Sequence, residues 1–241
     1  MNAHRCLGRL GRAAAAALLG LTFAFPASAA GQDTAAPYPC AGVTAWRTAH
    51  PDDTYQAMVR RDATRTLSDP ELRAELDERF TRDQDARIAW MARRWDRQLG
   101  RAVALSDRNN LRWLRELVAG KGFPTAAQVG EVGVNRAWLL MQHMDDDPQF
   151  QASLLPTLEQ RFADHELSGD DLARFTDRVL KAQGKAQRYG TQFSPEEMGG
   201  EHFGLPDEAS LREVEAHRRD LGVMPLADYA CMMRVARLKH P

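Results

Sequence analysis

The sequence predicts an all-α protein, built as a single irregular bundle of about eight helices. Apolar residues recur at spacings of three and four along most of the chain, as they do on one face of a helix. No stretch alternates with a period of two for long enough to be a confident strand, and β-branched residues are sparse. No repeat of fixed period is present, which argues against a solenoid.

Residues 1–29 have the pattern of a secretory signal peptide. Three arginines precede an uncharged, largely apolar run over 13–25, and Ala-Ser-Ala at 27–29 offers small residues for cleavage. The run is shorter than the roughly 20 residues that a membrane-spanning helix needs. We therefore expect a periplasmic or secreted protein that is not inserted in a membrane after cleavage.

We expect residues 30–51 to form an extended lead and residues 52–241 to form one helical domain. The lead is rich in Pro, Ala and Gly and shows no apolar periodicity. Without the three leader arginines, the chain has a net charge of about −4 when its histidines are neutral. Nucleic acids and anionic membrane surfaces demand clustered Lys and Arg, so neither is expected as a partner.

Capping residues mark the first helices of the domain. Ser-Asp-Pro-Glu at 68–71 offers a capping box and predicts a helix that runs to about Leu99. Ser106 is expected to cap a second helix, which stops at Gly120 and Gly122. Thr125 opens a third helix through another capping box.

The third helix is expected to be central and buried. It ends in AWLLMQHM, residues 137–144, which is apolar on nearly every side. Gly130 and Gly133 each cost about 1 kcal/mol relative to Ala inside a helix, so we expect a break or a close helix contact near them. Further helices are expected to begin near Asp147, Ser168, Asp207 and Pro225.

A long ordered loop is expected between Gly184 and Asp207. Gly184 follows a helical segment with a basic last turn, which is a common helix stop. Irregular segments of this length in compact domains are usually functional or disordered. Apolar residues within the loop favour an ordered segment that lies over the helices; they are Tyr189, Phe193, Phe203 and Leu205.

Two cysteines remain after signal cleavage, Cys40 and Cys231. An even pair in an oxidising compartment predicts one disulfide. The alternative is two unpaired thiols, with Cys231 buried as a small apolar residue. No CxxC or zinc-type spacing is present, so redox and zinc chemistry lack their usual signals.

Polar side chains inside the apolar run predict a network with partners elsewhere. Gln142 and His143 lie in AWLLMQHM, and a buried polar group without a partner costs roughly 1 to 3 kcal/mol. Asp177 and Arg178 are candidate partners, and the loop adds Gln187, Tyr189, Thr191 and Gln192. The network either forms a functional pocket under the loop, with His143 as acid, base or ligand donor, or pins the loop to the bundle.

A metal site is a weaker possibility. Asp145, Asp146 and Asp147 follow His143, and carboxylates with imidazole suit several divalent metals. Consecutive aspartates before a proline are more often a helix cap and its solvated turn. We therefore assign no metal ligand and expect no cofactor.

Several blocks of the chain resemble a bacterial family of domains of unknown function. The blocks are a QH, a DPxFQ, a DR and a QxYGTQ element in that order, within residues 84–229. The positions that carry the resemblance are Gln142, His143, Gln151, Asp177, Arg178, Gln187, Tyr189, Gly190, Thr191 and Gln192. The family has no established activity, so the resemblance implies positions of interest and no reaction.

Two functions of different class follow from these residues. The first is an exported binding or interaction module whose polar pocket holds a small polar ligand or a peptide. The second is a cell-envelope hydrolase or lyase with His143 as general base, Asp177 as its orienting carboxylate and Arg178 as a stabiliser of negative charge. The module is favoured, because no recognisable nucleophile or metal set accompanies the histidine.

Overall fold

The computed structural model describes residues 40–192, 194, 197 and 200–238, and this part of the chain is all-α, as predicted. Its nine helices are, in chain order, α1 Ala41–Ala49, α2 Tyr55–Asp62, α3 Pro70–Ala92, α4 Arg97–Lys121, α5 Ala126–Gln142, α6 Pro148–Ala163, α7 Gly169–Ala182, α8 Glu208–Leu221 and α9 Leu226–Leu238. Among these described helices, none combines the length and apolar character that crossing a membrane requires. The predicted signal peptide lies outside the described residues.

The prediction of an extended lead over 30–51 is wrong for its second half, which forms α1. Cys40 and Val43 are buried in an apolar cluster with Leu226 and Tyr229 of α9. Burial of this face stabilises a short helix that local composition alone does not predict, because most helical stability in proteins comes from tertiary packing. The first half of the lead, up to residue 39, lies outside the described residues.

The predicted helix starts hold at α3, α5, α6, α7 and α8, where capping side chains accept backbone hydrogen bonds. The N-cap of α3 is Asp69, without the predicted capping box from Ser68, and the helix ends at Ala92, earlier than the predicted end near Leu99. The predicted start at Ser106 is wrong. That helix is α4, which begins nine residues earlier at Arg97 and is capped by Asp96. Ser106 lies within α4, because the apolar stripe already begins at the buried Val103.

Helix α5 is the buried centre of the bundle, and it is interrupted at Gly130. Gly130 has a φ of 76°, outside the helical region. Asp62 at the end of α2 accepts hydrogen bonds from the amides of Glu131 and Val132, both at 2.9 Å. The carboxylate therefore caps the second half of α5, which confirms the expected break near Gly130.

The apolar core consists of two clusters. The larger joins α3, α4, α5, α6 and α7 around Leu76, Leu114, Met141 and Phe175. The smaller joins α1, α8 and α9. Cys40 and Cys231 form the predicted disulfide, with Cα atoms 6.1 Å apart, and it covalently ties α1 to α9.

The segment between α7 and α8 lies over the helices, as expected, at its described apolar positions. Tyr189 is buried, and Phe203 and Leu205 pack against the smaller cluster. Phe193 lies outside the described residues. Side chains of α7 and α8 bind the backbone around Tyr189.

Candidate functional site

Asp177 of α7 holds the QxYGTQ segment and does not pair with His143. Its side chain is fully buried, and Oδ1 accepts hydrogen bonds from the amides of Arg188 and Tyr189 at 2.7 and 3.0 Å. Oδ2 accepts from both the amide and the hydroxyl of Thr191, at 2.8 and 2.9 Å. The carboxylate is fully used by the loop, so the predicted orientation of His143 by Asp177 is not formed.

The opposite side of the segment is fixed by Arg218 of α8. This side chain is fully buried and donates to the carbonyl oxygens of Tyr189 and Met224, each at 2.6 Å. Its guanidinium lies 5.0 Å from the ring centroid of Tyr229 in α9. Burial lowers the pKa of Arg218. The segment thus joins α7, α8 and α9.

The glutamines of the segment bind within it. The amide of Gln192 donates to Oε1 of Gln187 at 2.7 Å, and Nε2 of Gln187 donates to the carbonyl of Gln192 at 3.3 Å. Nε2 of Gln192 donates to the carbonyl of Arg174 in α7 at 3.2 Å. These contacts match the interpretation in which the polar residues pin the loop to the bundle.

Gln142 and Gln151 find partners away from the loop. Arg178 donates from Nε to Oε1 of Gln142 at 2.9 Å and from Nη1 to Asp145 at 2.6 Å. Gln151 is buried and donates to the carbonyl of Met141, near the end of α5. Nε2 of Gln142 is buried without a hydrogen-bond partner among the described residues. The QH pair and the QxYGTQ segment therefore belong to different networks.

His143 ends α5 and lies against Asp83 of α3. Its Nδ1 is 3.0 Å from Oδ2 of Asp83, a carboxylate that is 1% exposed, and the imidazole is 20% exposed. Nδ1 is buried and is not aligned for a regular hydrogen bond, while Nε2 bonds to no group in the described chain. A buried carboxylate therefore fixes a ring that still reaches solvent.

Arg87 links this pair to α4. Its Nε lies 3.2 and 3.3 Å from the two oxygens of Asp83, and its Nη2 contacts Oδ1 of Asp107. Gln84 also donates to Oδ2 of Asp83, at 2.7 Å. Two carboxylates, one guanidinium and one imidazole thus meet where α3, α4 and the end of α5 come together.

The two carboxylates differ in their electrostatic setting. Burial alone would raise the pKa of Asp83, but the contact with His143 and the charge of Arg87 outweigh it and lower that pKa. Burial raises the pKa of Asp107, and the negative charge of Asp83 adds to the rise against the opposing effect of Arg87. Asp83 is thus the carboxylate that most readily carries a negative charge.

Asp83, Asp107 and His143 also meet a simple geometric condition for a metal site. Each offers one ligand atom, and these atoms all lie within 4.8 Å of one another. Oxygen and imidazole nitrogen suit several divalent metals. We call this set the three-helix cluster.

Two of the three aspartates that follow His143 have other partners. Asp147 caps α6 by accepting from the amide of Phe150 at 3.0 Å, and it pairs with Arg115. Asp145 pairs with Arg178. Cap and turn were the favoured interpretation of this run, and the geometry agrees with it.

Sequence reasoning missed Asp83, Arg87 and Asp107, although a signal was present. Asp83 continues the buried stripe of α3 seven residues after Leu76. Asp107 lies between the buried Val103 and Leu114 at helical spacing on α4. A carboxylate at an apolar-face position is rarely buried unless it is paired. Because both helices are rich in charged residues, the sequence alone does not distinguish these two aspartates from solvated ones.

Comparison with known proteins gives a family and no activity. No curated protein and no solved structure matches the chain. A family model described as "Family of unknown function (DUF6624)" matches residues 70–239, which include the three-helix cluster and the QxYGTQ segment. The chain therefore belongs to this family of unknown function, DUF6624.

Proposed function

We propose that the protein is an exported binding module and that its ligand is a divalent metal ion held by the three-helix cluster. The observation that carries the proposal is the convergence of Asp83, Asp107 and His143, from three separate segments, on ligand atoms within 4.8 Å of one another. A metal ion suits this place because it needs a few convergent donors and no large cavity. A metal ion as ligand replaces the small polar ligand or peptide expected from the sequence, and it differs from the expectation that the chain has no metal ligand.

The contact between Asp83 and His143 supports a metal ligand set. Two ligand atoms that each lie about 2.1 Å from one ion are about 3.0 Å apart at a right angle and about 3.4 Å apart at the tetrahedral angle that Zn²⁺ prefers. The observed separation of Nδ1 and Oδ2 is 3.0 Å, without the alignment of a regular hydrogen bond. Nδ1 therefore has a lone pair available to a cation when Nε2 carries the ring proton.

Arg87 sets the strength of this site. Its guanidinium now balances the charges of Asp83 and Asp107. A divalent ion would compete with it for the same oxygens, so the affinity is the difference between two cation interactions. Of the first-row ions, those later in the Irving–Williams order are expected to bind more tightly than Mn²⁺.

Titration calorimetry on the EDTA-stripped mature protein tests the proposal. We expect Zn²⁺ and Mn²⁺ to bind at one site and His143→Ala and Asp107→Asn each to weaken binding at least tenfold. His202→Ala and Asp146→Asn, which lie outside the cluster, serve as matched controls and should leave binding unchanged. If neither ion binds, or if the cluster variants bind like the controls, the proposal is wrong.

A second function, an enzyme with His143 as general base, is favoured by one specific contact. Oδ2 of Asp83 lies 3.0 Å from Nδ1 of His143, in the place that the sequence assigned to Asp177. A rotation of the imidazole that aligned a protonated Nδ1 with this oxygen would leave Nε2 free to accept a proton from a substrate or water. If the protein is such an enzyme, it should turn over cell-envelope fragments in the presence of EDTA, which removes metal ions. His143→Ala and Asp83→Asn should each abolish this turnover. Turnover that survives both variants, or no turnover of any fragment, rejects it.

A further inference from the structure

A second concave region lies apart from the three-helix cluster. It has a volume of about 640 Å³, within the range of about 300 to 1,000 Å³ that is usual for small-molecule sites. It is lined by the segment 46–61, by Glu131 and Asn135 of α5, by residues 162–174 and by the end of α8. We call it the acidic cleft, and it shares no residue with the three-helix cluster.

The charge of the acidic cleft is strongly negative. Six carboxylates line it against two guanidinium groups. Glu131 is paired with Arg61 at 2.6 Å, and Asp171 is paired with Arg174 at 2.8 Å, so the two buried carboxylates are already balanced. An excess of negative charge therefore remains on the other lining residues.

Three of those carboxylates are unpaired within the described chain. Asp52 and Asp53 lie in the turn between α1 and α2, and Asp170 lies in the first turn of α7. None of their side-chain oxygens accepts a hydrogen bond or forms an ion pair with a described residue, whereas Glu166 is held by Arg161. Asp52 interacts with the charge of Arg61, and Asp170 with that of Arg174, without forming an ion pair. Because these two arginines are already paired with Glu131 and Asp171, the charge of the two segments is only partly balanced, and the concavity attracts cations.

Aromatic rings accompany these carboxylates. Trp46 of α1, Tyr55 of α2 and Phe162 of α6 line the same cleft. One face of Trp46 is stacked on His50, with ring centroids 3.8 Å apart, so the indole is held in place. Aromatic surfaces attract organic ammonium ions and also cover methylene chains. A strongly hydrated metal ion gains little from such rings, whereas an organic cation gains both the attraction to its ammonium group and the burial of its methylene groups.

We infer that the acidic cleft binds a small, flexible organic diammonium or polyammonium ion. Its ammonium groups would contact Asp52 and Asp53 on one segment and Asp170 on the other, and its methylene chain would lie on the aromatic rings. Trp46, Asp52, Asp53 and Tyr55 precede residue 70, where the family match begins. This specificity therefore depends on a segment outside the matched region, and it is independent of the metal proposal.

Binding of hexane-1,6-diamine to the mature, disulfide-bonded protein tests the inference, with hexane-1,6-diol as the matched neutral probe. The titrations contain EDTA, so that the three-helix cluster plays no part. We expect the diamine to bind and the diol not to bind. Added NaCl should weaken binding of the diamine. Asp53→Asn with Asp170→Asn should weaken diamine binding at least tenfold, while Asp146→Asn, an exposed carboxylate elsewhere, should not.

The variants are expected to fold, because the substitutions break no side-chain hydrogen bond or ion pair within the described chain. Asp170 lies in the first turn of α7 and interacts with the charge of Arg174, so its replacement should lower the stability of the folded protein only slightly. Melting temperatures without ligand, measured beside the titrations, separate such a change from a loss of binding. Trp46→Ala should weaken binding of the diamine more than it weakens binding of the ammonium ion, which has no methylene chain. Equal binding of diol and diamine, no binding of the diamine, or full diamine affinity in the double variant would each overturn the inference.

Discussion

Thr191 binds Oδ2 of Asp177 twice, through its amide at 2.8 Å and its hydroxyl at 2.9 Å. The amides of Arg188 and Tyr189 occupy Oδ1, so one buried carboxylate sets the path of the QxYGTQ segment. Hydrogen bonds to an ionised acceptor are about twice as strong as neutral ones. The most distinctive sequence element of this chain is thus a folding element.

Replacing Asp177 is therefore expected to release the QxYGTQ segment from α7. Asp177→Ala leaves four donors without their acceptor and should lower the free energy of unfolding by about 3 kcal/mol or more. Thr191→Val removes only the hydroxyl and should cost about 1 kcal/mol. Urea denaturation measures both. A smaller loss for Asp177→Ala than for Thr191→Val would show that the carboxylate is not the anchor.

Gly130 is expected to resist substitution. Its φ is 76°, and a Cβ at this position would lie 2.3 Å from Oδ2 of Asp62, the cap of the second half of α5. Gly130→Ala should cost about 2 kcal/mol or more, from backbone strain and loss of the cap. Gly120→Ala is the control, because its Cβ meets nothing within 4 Å, and it should be neutral or stabilising. Equal melting temperatures for the two variants would contradict the geometry.

The pH dependence of stability should carry a contribution from Asp171. Burial raises the pKa of this carboxyl, so the folded protein keeps the proton to a higher pH than the unfolded chain does. Its contribution to stability is greatest below the unfolded value of about 3.9 and is lost as the pH rises through the folded value. Asp171→Asn removes that contribution.

Denaturation of the unchanged protein and of Asp171→Asn at a series of pH values, upward from the unfolded value of about 3.9, measures the effect. As the pH rises, the unfolding free energy of the unchanged protein should fall relative to that of Asp171→Asn. A difference that stays constant across these pH values would show that Asp171 does not titrate differently on folding.

Reducing the disulfide is expected to loosen α1 and with it one wall of the acidic cleft. Cys40 and Cys231 are 191 residues apart in sequence, and the chain-entropy model gives at most about 5 kcal/mol for a loop of this length. A reductant should lower the melting temperature and weaken diamine binding. In the Cys40→Ser, Cys231→Ser double variant, which has no disulfide, the reductant should change neither the melting temperature nor the affinity for the diamine. Full diamine affinity after complete reduction would show that the bond does not support the wall.

The all-α class, the disulfide and the break at Gly130 were all predictable from the sequence, because each depends on local chemistry. Apolar periodicity, an even cysteine count and a glycine inside a helix need no knowledge of distant contacts. The helical state of residues 41–49 was not predictable in this way. It depends on packing of Val43 against α9, which is brought near only by the fold.

The partner of His143 illustrates the same limit. Asp177 and Asp83 are both aspartates on helices, and only the packing of α3 against α5 decides that Asp83 faces the imidazole. The grouping of polar residues on apolar faces was visible in the sequence, but the pairing among them was not. The sequence feature that marks the three-helix cluster is a carboxylate at an apolar-face position of a helix, as at Asp83 of α3 and Asp107 of α4.

The bond between Cys40 and Cys231 has a mechanical consequence. When tension is applied to the chain outside these two cysteines, the covalent link carries the load and the 190 residues between them are bypassed. Stretching therefore cannot extend the bundle until a reductant cleaves that link. For a protein that works outside the cell, as proposed here, resistance to pulling and sensitivity to reducing conditions would reside in the same two atoms.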